Sequence, residues 1–325
     1  MLTGPALVVV GEALIDLVPI AGNDQFQARP GGSPFNVAIG LARLGNRTAL
    51  MARLADNAFG RLLRDHAAAE GIDLGSAPLA IEPTTLAVVS LDDQAQATYD
   101  FYFEGTADWQ WTETEIARLP GDTAVLHFGS LASWTEPGCA LLHDLAARNH
   151  TEGHVLVTYD PNVRPLVLKD PVRARDLVER SVGVAHLVKA STEDVEWLYP
   201  NVTSADVGAR WTQLGADLVV ITDGPNGAVG YRADRDPVAC PGRTVDVADT
   251  VGAGDAFTAG LLSALAQRGL QTPARLAQLS TTELSDCLTE AVLVSSLTCQ
   301  KAGADPPRVN GRSGQAPLTA ASFLT

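Results

Sequence analysis

Four apolar runs of strand length recur through the middle of this chain: TAVLHFG (123–129), HVLVTYD (154–160), AHLVKA (185–190) and DLVVIT (217–222). Segments with helical patterning separate them, among them Val172 to Val182 and Ala205 to Leu214. Strands that are apolar almost throughout, rather than alternating, are those covered on both faces. Repeated strand–helix alternation of this kind folds as a mostly parallel sheet with helices on both sides, an α/β architecture whose ligand crevice lies at the strand ends. With 325 residues, 46% hydrophobic and 19% charged, the chain has ample apolar material for a large core.

The N-terminal third reads differently. ALVVV (6–10) is a further buried strand that runs into Gly11-Glu12, and Ala13 to Ile20 is a second apolar segment. The turn cluster Pro30-Gly31-Gly32-Ser33-Pro34 precedes a helix carrying Phe35, Val37, Ile39, Leu41 and Leu44, with Gly45 as its stop. TTLAVVSLD and ATYDFYFEG, either side of the polar tip Asp92 to Gln96, predict a hairpin within residues 84–103. On its second strand Tyr99, Phe101 and Phe103 alternate with Thr98, Asp100 and Tyr102, which gives one aromatic face. Ala256 to Arg268 and Glu283 to Cys299 read as helices, while Gly269 to Leu284 carries no motif. No repeat or linker interrupts the text, so a single domain over 1–325 with a small β appendage is expected.

A formal net charge of −15 without any basic run argues against nucleic acid and anionic membranes as partners. Cys139, Cys240, Cys287 and Cys299 lie far apart with no metal-like spacing, as expected of free thiols in a reducing compartment. The apolar run Leu7 to Val10 is too short for a signal peptide or a spanning helix, so the expected location is the cytoplasm.

The chemistry is concentrated in Asp249-Thr250-Val251-Gly252-Ala253-Gly254-Asp255-Ala256-Phe257-Thr258-Ala259-Gly260. Two glycines around a small residue let backbone approach a ligand, and the Ala/Leu-rich continuation starts a helix. Successive N–H groups there make an anion pocket, and Asp255 stands at its mouth. A carboxylate beside an anion site repels the anion unless it has other work, such as taking a proton from an attacking hydroxyl. On spacing alone, a glycine turn with a helix-capping aspartate fits equally well.

The whole twelve-residue phrase is more specific. It resembles the C-terminal signature of the ribokinase/PfkB family, and Gly31-Gly32-Ser33-Pro34-Phe35-Asn36-Val37-Ala38 is similar to the N-terminal one. The resemblance spans nearly the full chain. It implies a ribokinase-like α/β fold with a β lid drawn from about 12–36 and 84–103, and phosphorylation of a small molecule by ATP with Mg²⁺. Asp255 would be the general base, with Gly252, Ala253 and Gly254 as the anion hole. Asp16, Gly31, Gly32 and Asn36 would hold the acceptor, with Phe101 covering it. Thr222-Asp223-Gly224-Pro225-Asn226-Gly227 matches the T-x-G-x-x-G segment that the family places around nucleotide phosphates; read alone it is equally a hairpin turn. Lys189, on the preceding strand, joins Thr222, Gly224 and Gly227 as a nucleotide-binding candidate. Ser191-Thr192-Glu193-Asp194 occupies the place of the family's N-x-x-E motif, with Ser for Asn and Asp for Glu. That change leaves the metal-linked carboxylate open between Glu193 and Asp194, acting through water. Asp249 would lie near a K⁺ site that many members carry. A homodimer through the lid is a further possibility of the family.

The acceptor is read from Leu126-His127-Phe128-Gly129-Ser130 and Asp160-Pro161-Asn162-Val163-Arg164-Pro165, both similar to the bacterial fructokinase branch. His127 reads as a packed strand residue, while Asn162 and Arg164 stand where a site should be. Arg164 would steer a phosphate or hold a substrate anion. Fructose, phosphorylated to fructose 6-phosphate, is the first expectation. A 2-keto-3-deoxygluconate kinase comes next, because those enzymes carry a similar D-x-N-x-R phrase. Ribokinase, a nucleoside kinase and a non-catalytic sugar-binding regulator follow. A P-loop is excluded because no Gly-Lys pair exists, and Gly11-Glu12-Ala13 does not supply a dinucleotide fingerprint.

Overall fold

The computed structural model describes residues 4–20, 24–91, 97–309 and 318–323. Among them the first strands in chain order are β1 (Ala6–Val10), β2 (Leu14–Pro19), β3 (Phe26–Gly31), β4 (Thr48–Met51), β5 (Leu54–Ala55), β6 (Leu79–Ala80), β7 (Leu86–Leu91) and β8 (Ala97–Tyr102). β9 (Thr123–Gly129), β10 (Leu156–Asp160), β11 (Leu187–Ser191), β12 (Leu218–Thr222), β13 (Gly227–Tyr231) and β14 (Val238–Pro241) follow. The four helices that build the site are α1 (Ser33–Arg43), α2 (Thr192–Leu198), α3 (Ala253–Gln267) and α4 (Thr281–Cys299).

Eight strands form one sheet in the order β14-β13-β12-β11-β10-β9-β1-β4. β4, β1, β9, β10, β11 and β12 pair in parallel, and β13 and β14 close one edge antiparallel. The alternation along β1 shows why both faces are apolar: Leu7 and Val9 enter one core, Ala6, Val8 and Val10 the other. α1, α3 and α4 cover the first core, which holds Leu41, Leu261 and Leu288. Helices carrying Leu142, Val178 and Trp211 cover the second. This is the α/β class expected from the strand runs, and no helix among the described residues is long and apolar enough to cross a membrane.

Strand order reverses between β1 and β9, so the crevice of this sheet opens where those two strands end. There the chain leaves β1 through Gly11-Glu12 and enters a second, four-stranded sheet ordered β3-β2-β7-β8. The expected hairpin is β7 against β8, antiparallel, with Ala87 facing Phe101. Its tip at Asp92 to Gln96 and the side chain of Tyr99 lie outside the described residues. Buried Asp108 fastens the small sheet over the crevice: its Oδ1 accepts the Ala13 N–H (2.8 Å), and Thr85 donates to its other oxygen.

Two glycines bring α1, α3 and α4 close. A Cβ on Gly40 of α1 would stand 2.6 Å from the Ala259 Cβ of α3, and one on Gly260 would stand 2.9 Å from the Ala291 Cα of α4. At that separation the N-terminal turns of α1 and α3 meet over the ends of the central strands. α3 begins at Ala253, three residues before the sequence start at Ala256, which puts Asp255 in its first turn.

Candidate active site

Asp255 receives two hydrogen bonds from α1. Ser33 Oγ donates to its Oδ1 at 2.7 Å and Asn36 Nδ2 to its Oδ2 at 2.8 Å. Gly32 caps α1 at φ 101°, a left-handed conformation that glycine tolerates. A Cβ there would also meet the Glu12 carbonyl at 2.9 Å. These residues line a cavity of about 390 Å³ together with Glu12, Asp16, Ser130, Arg164 and Gly252. Leu14, Ala87 and Phe101 from the small sheet form its roof. The volume suits a monosaccharide-sized ligand, and the mixture of carboxylate, amide and hydroxyl groups suits one rich in hydroxyls.

The cavity is acidic, and its carboxylates are buried. Burial pushes the Asp255 carboxyl above the ordinary range, while the hydrogen bonds from Ser33 and Asn36 pull it back. Asp16 is raised by burial to about 6, with Arg164 opposing the shift. Glu12 is raised by burial to about 7, although Ser130 and the Ala132 N–H bond its oxygens. A carboxylate held by two donors and facing a cavity can accept a proton from a hydroxyl placed against it.

A second cavity of about 570 Å³ lies on the other side of the same turn. Thr222, Gly224 and Gly227 line one wall, Ala253, Gly254 and Phe257 another, and Val292, Ser295, Ser296 and Cys299 of α4 a third. The turn is an α3 N-terminus opened by Gly252 at φ 76°, where L side chains are strained. Its Ala253 N–H donates to Thr250 O at 3.2 Å. Those of Gly252 and Gly254 have no acceptor among the described residues, so these two are free for an anion. The T-x-G-x-x-G segment is also the β12–β13 hairpin turn, so both readings of it hold.

Several expected site residues stand elsewhere than at a cavity wall. Lys189 is buried (4% exposed) and donates to Asp160 Oδ2 at 3.1 Å; it does not line the second cavity. Asp194 is committed to structure, because its oxygens accept the N–H groups of Val163 (2.7 Å) and Ser191 (2.9 Å). Glu193, exposed, lines the second cavity instead. Asn162, at φ 39°, stands behind the first cavity and donates to Ser130 Oγ at 3.2 Å, and Ser130 does the lining. Gly31 sits beneath Asp16, where a Cβ would meet Oδ2 at 2.1 Å. Asp249 clamps the turn, accepting from the N–H groups of Val251 (3.0 Å) and Gly303 (2.7 Å). His127 is packed as expected, bonded through Nδ1 to Thr158 Oγ1 at 2.9 Å. Phe103 packs edge-on against Trp109, while Phe101 reaches the cavity.

Sequence reasoning missed Ser33, Glu12 and Ser130 in the first cavity, and Arg243, Thr244, Val245 and the α4 residues in the second. Ser33 lay inside the quoted N-terminal phrase. Glu12 had a signal too, as a carboxylate placed directly after a buried strand. The loop 243–247 has none, since its residues acquire a role only through the tertiary approach of Gly242 to Pro225, where a Cβ would stand 2.0 Å from the carbonyl.

An N-terminal helix turn wedged between two cavities, with the Asp255 carboxylate and Gly252 on one side and the free Gly254 N–H on the other, defines a kinase that acts on a small hydroxyl-bearing acceptor. The chain belongs to the pfkB family of carbohydrate kinases, whose model matches residues 5–310. It is 38% identical over 272 residues to a fructokinase of Rhizobium leguminosarum bv. trifolii, covering 83% of this chain and 82% of that one. It is also similar to the crystal structure of a Xylella fastidiosa fructokinase with bound ATP (TM-score 0.83, 26% identity, 92% of this chain and 93% of that one). A Vibrio cholerae O395 fructokinase bound to fructose, ADP and calcium ion superposes with a TM-score of 0.78 at 28% identity, over 92% and 94%.

Proposed function

We propose that this carbohydrate kinase transfers the γ-phosphoryl group of ATP to fructose, giving fructose 6-phosphate. One observation carries the reading: the segment Thr250 to Phe257 supplies walls to both cavities, with Asp255 on the smaller side and Ala253 and Gly254 on the larger. A phosphoryl donor in the larger cavity and an acceptor hydroxyl in the smaller would meet across that turn, as in-line transfer requires.

In this reading Asp16, Gly32 and Asn36 orient the sugar and Phe101 excludes water above it. Asp255 accepts the hydroxyl proton, while the N–H groups of Gly252 and Gly254 stabilise charge on the phosphate oxygens. The nucleotide fills the cavity lined by Thr222, Gly224 and Gly227. Mg²⁺ would arrive with the nucleotide, neutralising phosphate charge. Glu193 is the carboxylate placed to reach its water shell, and among the described residues no cluster of three acidic, His or Cys side chains forms a cage of its own. K⁺ near Asp249 and a homodimer through the small sheet, which exposes Phe26 and Tyr102, belong to the same proposal.

The test is ADP release from MgATP with fructose, 2-keto-3-deoxygluconate, ribose, glucose, inositol and adenosine in turn, with K⁺ present. Fructose should give the highest kcat/KM. A preference for 2-keto-3-deoxygluconate would instead assign Arg164 to a carboxylate. Among the described residues Arg164 donates to the carbonyls of Asn162 (3.3 Å) and Val163 (3.1 Å) through Nη1 alone, so Nε and Nη2 remain for either kind of acceptor. No turnover with any acceptor, but binding of fructose by calorimetry, would favour a sugar-binding regulator.

A further inference from the structure

Among the described residues Lys189 is the cation buried beneath the turn, and the fold gives no simple reason for it. It enters from β11, and Asp160 at the end of β10 holds it. Asp160 Oδ2 also accepts from Thr258 Oγ1 (3.3 Å), one turn beyond Asp255 on α3, while its Oδ1 takes the Asn162 N–H (3.1 Å). A Cβ on Gly254 would stand 3.0 Å from the Lys189 ammonium, so the cation lies directly under an anion-hole residue. A buried ion pair adds little to stability compared with a well-packed apolar pair, because desolvation offsets the attraction. Keeping one here, against the catalytic turn, points to an electrostatic task.

We propose that Lys189 is a positioning residue for catalysis: a fixed counter-charge under the Gly252–Asp255 turn that keeps Asp255 ionised and ready to accept a proton. The inference rests on reading Asp255 as the base. The charged groups around the pair are few. Asp160, Asp194 of α2 and Asp255 face Lys189, and together they hold its ammonium charged although burial opposes that charge. His127 of β9 is kept neutral by burial, its value lowered to about 4. Asp255 in turn faces Ser33 and Asn36 of α1, Asp160, Lys189, and Asp16 of β2, which Arg164 partly neutralises. Asp160 acts on Asp255 against ionisation and Lys189 in favour of it. The two members of one ion pair therefore push the base in opposite directions.

That opposition supplies the experiment. Lys189→Met and Asp160→Asn are compared with the wild type in the pH profile of kcat/KM and in a ¹³C titration of carboxyl-labelled aspartate, with Asp255→Asn to assign the resonance. Lys189→Met should raise the Asp255 midpoint and move the acid limb to higher pH by about 1 unit; Asp160→Asn should move both lower. A merely structural role would move neither, or both in the same direction, and either result overturns the proposal. If Lys189→Met does not fold, the Asp160→Asn/Lys189→Met pair is read against Asp160→Asn alone. An upward shift then supports the proposal and an unchanged midpoint overturns it. The NMR arm needs no turnover. If the wild type phosphorylates no acceptor, the proposed function falls while the electrostatic link is still decided by the titration.

Discussion

Asn36 donates a 2.8 Å hydrogen bond to Asp255 across 219 residues of sequence, joining the two glycine-rich phrases at one carboxylate. Ser33 takes the other oxygen. The bonds hold the carboxylate facing the acceptor cavity and favour its ionised form, so they bear on both geometry and protonation.

Asp255→Asn should keep fructose and nucleotide binding, read by calorimetry, and lose turnover by on the order of 100- to 10,000-fold. Near-normal kcat in that variant would remove Asp255 from the role of base. Ser33→Ala should retain more activity but shift the acid limb of the pH profile to higher pH. A donor to the ionised carboxylate has gone, and deprotonated Asp255 is then reached only at higher pH.

Gly40→Val tests the packing that brings the phrases together. The branched side chain would meet Ala259 and drive α1 from α3, at a cost of about 1 to 3 kcal/mol in urea unfolding. It should lower kcat through the lost Ser33 and Asn36 contacts, and change the KM for ATP less, because Thr222 and Gly224 belong to other elements. A stable variant with normal kcat would show that the helix spacing is not what aligns Asp255.

Glu12 makes stability depend on pH. Its folded value, about 7, lies above its ordinary 4.5. The protonated side chain therefore favours the fold fully below about pH 4.5, and the advantage is lost as pH rises through 7. Glu12→Gln should flatten the fall in unfolding free energy between pH 5 and 8 by on the order of 3 kcal/mol. Urea titrations at several pH values read it directly; parallel curves for the two proteins would contradict the assignment.

Glu193→Ala should raise the Mg²⁺ concentration needed for half-maximal rate while leaving the KM for fructose near its wild-type value, since Glu193 lines the larger cavity and not the smaller. Chelation of the metal should abolish turnover in both proteins. An unchanged Mg²⁺ requirement would exclude Glu193 from the metal's surroundings.

The sequence by itself determined the parallel sheet, because apolar strand runs have nowhere to lie but between two helical layers. It also determined the hairpin of the small sheet and the helix start that carries Asp255, since a glycine pair opening a helix is a local property of the backbone. The tertiary structure decided what each neighbouring polar residue does. Glu193 and Asp194 are adjacent in sequence, yet helical geometry turns one outward to the cavity and spends the other on capping α2. Lys189 is expected among the nucleotide ligands, but β11 is a central strand covered on both faces, and the side chain is buried against Asp160. Partnership over 219 residues, and the direction in which a strand or helix points a side chain, depend on how elements pack; no local pattern in the chain encodes them.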